Sequence, residues 1–145
     1  MRDRIIRIEW SKPLLLEEVI TGEASNTQGL YYITRVFGGK ETSLYLGIAT
    51  KGNTIRNRLR AHSSNWANLY RGVKYVRIGR ITYPRVYDEE VIDHAESALL
   101  FAPEHERIFP ENVSKRKSYT YQNLYRVENE GDIFELSPVV RMHEQ

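Results

Sequence analysis

Apolar positions along the chain change their spacing several times, and each change marks an element. Residues 1 to 10 alternate loosely through Ile6, Ile8 and Trp10, the two-residue period of an edge strand. "SKPLLLEEVITG" then offers Ser11 as a cap, Pro13 in a first turn and Gly22 as a stop, which reads as a short helix. The runs "GLYYITRVF" and "SLYLGIA" are rich in β-branched and aromatic residues. They enclose "GGKET", the pattern of an antiparallel hairpin with a longer loop.

"NTIRNRLRAH" moves to helical spacing, with Ile55 and Leu59 on one face and Arg58 and His62 four apart on a neighbouring one. "RGVKYVRIGRITYP" returns to a β-prone run, Val76 and Ile78 interspersed with Lys74 and Arg80, and predicts a third strand closed by Pro84. "DEEVIDHAESALLFAP" is the plainest helix. Asp88 caps it, Glu89 and Glu90 lie in its positive first turn, Ile92, Ala95, Leu99 and Ala102 form its apolar face, and Pro103 follows its end. The stretches "FPENVSKRKSYTYQN" and "GDIFELSPVV" carry no clear period and read as irregular extension. The expected fold class is α+β, a small three-stranded antiparallel sheet flanked by helices. Residues 1–145 read as one domain, with a core over 29–112 and a C-terminal extension over 113–145.

Composition narrows the chemistry. A chain of 145 residues buries a real core, and its lack of cysteine removes disulfide scaffolds, zinc fingers and thiol catalysis while favouring a reducing cytoplasm. No run reaches the ~18 apolar residues of a membrane span, and charges interrupt the N-terminus where a signal peptide would be apolar. The net charge of +2 is segregated: residues 51 to 85 hold nine Lys or Arg and no Asp or Glu, whereas residues 86 to 145 hold thirteen acids against six bases. A one-signed block suits a polyanion, and phosphate backbones are the commonest; otherwise the acidic part neutralises it across the fold. Lys51, Arg56, Arg60, Arg71, Lys74, Arg77 and Arg80 are the candidate backbone contacts. The run Lys115, Arg116 and Lys117 reads equally as a phosphate grip or a solvated turn.

Glu96 is flanked at helical spacing by Ile92, Leu99 and Leu100, so its carboxylate needs either an arginine partner or a metal ion. Taken singly, Arg58 is a surface arginine, and Tyr31 and Tyr45 are packing residues of a hairpin. Their order changes that reading. Gly29-Leu30-Tyr31 and Tyr45-Leu46-Gly47 in one hairpin, then "IRNRLRAH", "DHAESALLFA" and Pro110-Glu111-Asn112, resemble the GIY-YIG nuclease family over roughly residues 29 to 112. "WSKPLLLEEV" also looks like the front of small stand-alone members. Leucine stands for isoleucine in both tripeptides. The interval from Glu96 to Asn112 is longer than the family's, which leaves Asn123 in "YTYQN" as the alternative asparagine.

The resemblance implies a metal-dependent endonuclease that hydrolyses phosphodiester bonds in DNA. Tyr31 would be the general base on the attacking water, and Tyr45 would orient the water or the phosphate. Arg58 would stabilise phosphoryl charge, His62 would position the phosphate or share in proton transfer, Glu96 would hold Mg²⁺ or Mn²⁺, and Asn112 would brace the site. Such chemistry needs an aimed, deprotonated water and stabilised oxygens, and Mg²⁺ is content with one carboxylate because it keeps most of its waters. On the same pattern, a chain without turnover would be a nucleic-acid-binding module or work only within an assembly. Substrate form (single-stranded, duplex or branched DNA, or RNA), sequence preference and oligomeric state are not encoded in it.

Other motifs carry less. His94-Ala95-Glu96 matches the His-x-Glu of zinc deaminases, whose site requires two cysteines that this chain lacks. His105, between Glu104 and Glu106, reads as a solvated loop residue, and Trp10 and Trp66 read as packing residues rather than base platforms.

Overall fold

The computed structural model describes residues 4–22, 25–67, 70–112 and 125–141. Lys115, Arg116, Lys117 and Asn123 lie outside the described residues. The described elements are β1 (Arg4–Trp10), β2 (Leu14–Leu15), α1 (Leu16–Val19), β3 (Gly29–Phe37), β4 (Lys40–Ala49), α2 (Ile55–Asn65), β5 (Val73–Tyr83), α3 (Glu89–Phe101), β6 (Tyr125–Gly131) and β7 (Val139–Arg141).

The expected fold class is overturned. The strands form one seven-stranded mixed sheet in the order β4-β3-β5-β1-β6-β7, with β2 paired to β5, in place of a small three-stranded antiparallel sheet. β3 pairs antiparallel with β4 and with β5. Beyond β5 the sheet continues, because β1 is an interior strand, antiparallel to β5 and parallel to β6. The C-terminal extension thus supplies β6 and β7. Its inward positions in β6 are Val127 and Asn129, only one of them apolar, so no hydrophobic alternation announces the strand. Asn129 replaces the missing apolar side chain with hydrogen bonds: its Oδ1 accepts from Trp10 Nε1 at 2.9 Å, and its Nδ2 donates to the Ser137 carbonyl at 2.8 Å.

The leading helix is also shorter than its pattern. Ser11 does not cap it; its N–H donates to the Ile78 carbonyl and its Oγ accepts from the Ile78 N–H, both at 2.9 Å. Strand pairing therefore continues through Leu14 and Leu15, opposite Val76 and Tyr75, and the helix is reduced to Leu16–Val19. Pairing along a long neighbouring strand outweighs the weak preference of a few residues for helix.

Alternation along β3 divides the core into two layers. Leu30 and Tyr32 face one way, packing with Ile6, Ile8, Trp10 and Leu46 beneath Ala95, Leu99 and Leu100 of α3. Tyr31 and Ile33 face the other way, with Leu44, Val76 and the Ile55 and Leu59 face of α2. Adjacent tyrosines thereby reach opposite layers, and only Tyr31 is aimed at α2.

Candidate active site

The two tripeptides have separate physical reasons for their glycines. Gly29 opens β3 at φ +146°, a conformation side chains rarely adopt. Gly47 is directly opposite Tyr31 in the β3–β4 ladder, and the Tyr31 ring crosses the space its side chain would fill. A Cβ there would lie 2.6 Å from Tyr31 Oη and 2.5 Å from Tyr45 Cε2. Between Tyr45, opposite Ile33, and Ser43, opposite Thr34, the register shifts by a bulge at Leu44. The shift leaves both Leu44 and Tyr45 on the α2 side. The Tyr31 and Tyr45 rings stack with centroids 6.0 Å apart and planes inclined at 27°.

α2 begins at Thr54, whose Oγ accepts from the Asn57 N–H at 3.2 Å, and it buries Ile55 and Leu59 against the sheet. That docking brings His62 over the tyrosine pair. His62 Nε2 lies 2.7 Å from Tyr31 Oη, and its Nδ1 accepts from the Trp66 indole Nε1–H at 3.0 Å. An indole nitrogen only donates, so Nδ1 is the lone-pair nitrogen and the proton sits on Nε2, which donates to Tyr31. An imidazolium would set two N–H groups against each other at Nδ1. His62 is held neutral: burial, aided by the Arg58 charge, pushes its pKa down to about 4.

Arg58, one turn earlier, lies near both tyrosyl hydroxyls, where its charge acts on them. Burial raises the pKa of Tyr31, reinforced by Tyr45 and opposed by Arg58; for Tyr45, burial and then Glu96 raise it. Both phenols are consequently protonated at neutral pH in the resting site.

From the far side, α3 delivers Glu96, which is 5% exposed. The Pro110–Asn112 turn delivers Asn112, whose Oδ1 accepts from the Leu46 N–H at 2.9 Å while its Nδ2 donates to the Leu46 carbonyl at 2.7 Å. Because β4 is the sheet edge, this side-chain amide completes a ladder that no further strand completes. A cleft of about 600 Å³ opens here, lined by Tyr45, Thr50, Lys51, Arg58, Asp93, Glu96 and Asn112 among others. Among the described residues, no three His, Cys, Asp or Glu side chains form a group able to cage a metal ion. The donor chemistry instead suits a hard cation held by Glu96 that completes its shell with water and phosphate.

No protein-family model, curated protein or solved structure matches the chain. The geometry itself is therefore the basis for a functional reading. It gathers Tyr31, Tyr45, Arg58, His62, Glu96 and Asn112 around the β4 edge from four elements and a turn.

The basic block is dispersed instead of gathered. Arg77 is corrected from a backbone contact to a core ion pair: it is 2% exposed and faces the α3 layer, with Nη1 2.7 Å from Glu41 and Nε 3.0 Å from Asp132. Alternation along β5 sends it to the opposite side from Lys74 and Arg80. Arg80 pairs with Glu9 at 2.9 Å, and Arg60 donates to the Ile20 carbonyl at 3.2 Å. Lys51 lies at the cleft, Arg56 is half-buried on α2, and Arg71 is exposed. His105 is likewise corrected from solvated to buried; its Nδ1–H donates to the Leu99 carbonyl at 2.7 Å, and its Nε2 accepts from the Ser137 N–H at 2.8 Å. Trp66 belongs to the site, which its reading as mere packing missed. Its place four residues after His62 on one helical face was the available signal.

Among the described residues, no helix is long and apolar enough to cross a membrane.

Proposed function

We propose that the chain is a metal-assisted endonuclease that hydrolyses DNA phosphodiesters at a GIY-YIG-type site, working in the reducing cytoplasm that suits a cysteine-free chain. What supports this reading is one observation. The Tyr45 ring, the Arg58 guanidinium and the buried Glu96 carboxylate line a single cleft, with the Tyr31 hydroxyl buried beside them on His62 Nε2.

Hydrolysis requires a proton acceptor for water, charge stabilisation on the phosphoryl oxygens and a way to neutralise the leaving oxygen. Tyr31, after giving up its own proton to solvent, takes the proton of the attacking water, and the leaving oxygen is protonated from solvent as its bond to phosphorus breaks. His62 Nε2–H donates to the Tyr31 Oη and the Arg58 charge favours the phenolate, against burial, which favours the phenol. His62 does not serve as a base toward Tyr31, since one nitrogen carries the donated proton and the other is occupied by Trp66. Arg58 meets phosphoryl oxygens with a planar fork that an ammonium cannot reproduce. Tyr45 orients the water or phosphate, and Asn112 holds Leu46, hence the neighbouring Tyr45, in place. Mg²⁺ or Mn²⁺ on Glu96 would supply positive charge to the scissile phosphate and to the two phenols.

The test compares wild type, Tyr31→Phe and Arg58→Lys for cleavage and for affinity toward the same labelled DNA with metal present. The reading expects each variant to lose cleavage by at least about a hundredfold while DNA affinity stays within a few fold. Wild type that binds without ever cutting would replace it with a nucleic-acid-binding module.

A further inference from the structure

The α2 face of β3 continues beyond the tyrosines. Side chains two apart share a face, so Arg35 and Phe37 extend the row of Tyr31 and Ile33 to the hairpin tip, about 20 Å further along the strand. Phe37 is 52% exposed, an unusual position for a large apolar ring at a charged tip. The Arg35 guanidinium lies over two rings, 5.2 Å from the Tyr70 centroid and 5.8 Å from that of Phe37. Tyr70 meets Trp66 edge-on at 6.0 Å, and Trp66 meets Tyr45 at 5.5 Å. An aromatic path thus connects the cleft to the tip.

Cations border the path. Lys40 is opposite Phe37, and Lys74 is opposite Arg35 in the ladders, so both share its face; the Lys74 ammonium gives one of its three N–H groups to the Tyr70 carbonyl. Exposed Arg71 is adjacent, its carbonyl accepting from Arg35 Nη1 at 3.1 Å. Glu111 also approaches the path, accepting from the Tyr70 hydroxyl, and sets one negative charge against the four cations Arg35, Lys40, Arg71 and Lys74. Glu41, although on the hairpin, faces the opposite layer, bound to Arg77.

A ring face bordered by cations complements a nucleotide, which carries a flat base and an anionic phosphate. The bases of a duplex already use their faces on one another, so Phe37 is accessible only to a base that is unpaired and unstacked. We propose that this strip seats a single-stranded DNA segment running from the cleft to the hairpin tip. One base stacks on Phe37, and its flanking phosphates meet Arg71, Lys40 and Lys74. The proposal rests on the nuclease reading for the direction of the strand and deepens it by naming the substrate form, DNA with an unpaired stretch beside the cleaved bond.

The experiment measures binding in chelator, so cleavage plays no part. Fluorescein-labelled oligothymidylate and a duplex of equal length are titrated with wild type, Phe37→Ala and Phe37→Trp and followed by anisotropy and by tryptophan emission. The expected result is tighter binding of the single strand by wild type. Phe37→Ala should weaken it about tenfold or more, the usual effect of losing one base-stacking ring. Phe37→Trp should retain affinity and be quenched on binding, beyond any change in Trp10 and Trp66 seen with wild type. Phe37→Ala binding the single strand as wild type does, or wild type binding the duplex as well as the single strand, would overturn the proposal. So would an unquenched Phe37→Trp. Metal-dependent cutting of duplex that is indifferent to Phe37 would remove the strip and leave the nuclease reading intact.

Discussion

His62 is defined by what touches each of its nitrogens: an indole donor on Nδ1 and a phenol on Nε2. Its pKa, about 4 in the fold, lies below its ordinary 6.5, so between these values the unfolded chain binds a proton that the folded chain refuses. Stability therefore rises with pH across that window. The His62 contribution is fully present above about pH 6.5 and diminishes as pH falls toward 4, by roughly 3 kcal/mol at most. His62→Gln keeps a donor but does not titrate, so urea midpoints measured at pH 7 and pH 4.5 should differ less in this variant than in wild type. An equal pH dependence in both would show that His62 is not the group. Gly47 offers a second residue-scale check. Gly47→Ala places a methyl group into the Tyr31 and Tyr45 rings, an overpacking that costs about 1–3 kcal/mol and displaces both hydroxyls. Thermal unfolding and cleavage should decline together.

Among the elements, those with a strong local period were the legible ones. The hairpin announced itself by two β-prone runs, although Lys40, Glu41 and Thr42 of the expected five-residue loop belong to β4 and only Gly38-Gly39 turn the chain; α3 announced itself by Asp88, whose Oδ1 accepts from the Val91 N–H at 3.3 Å. β2 and β6 were not legible because their reason is not local: Leu14 and Leu15 pair because β5 runs past them, and β6 forms around a buried asparagine. The role of Asn112 at the sheet edge is similarly non-local. Asn112→Ala leaves the buried N–H and carbonyl of Leu46 without their partner, which should cost about 2 kcal/mol by denaturant unfolding. Cleavage should fall further than this loss of folded fraction explains, because β4 carries Tyr45. Asn112→Ala with wild-type stability would contradict the clamp.

For the whole molecule, the chain's segregation of charge is not a segregation in space. A contiguous basic block suggested one patch, yet alternation along β5 sends Arg77 to the α3 layer, between Glu41 of the hairpin and Asp132 beyond β6. There it ties the C-terminal strands to the β3–β4 hairpin. The carboxylates of Glu41 and Asp132 are partly exposed and can be hydrated when their partner is removed, so Arg77→Met should destabilise by about 1–2 kcal/mol. DNA affinity, measured where the variant is folded, should be unchanged; a large loss of affinity at wild-type stability would return Arg77 to the surface. The candidate site residues could be named as a set because their order in the chain resembles that of a nuclease family. Trp66 and the Arg35–Phe37–Tyr70 strip were not, since each depends on which face of a strand or helix meets which.

The central claim is that Glu96 and the two tyrosines belong to one metal-assisted hydrolytic site. It is tested most directly by cleavage of end-labelled single-stranded, duplex and branched DNA by wild type and Glu96→Ala, each with Mg²⁺, with Mn²⁺ and with chelator. Wild type should cut only with metal, most where an unpaired segment is present, and Glu96→Ala should bind without cutting. Cutting that survives chelator or the loss of Glu96, or wild type that cuts none of the three, would contradict it.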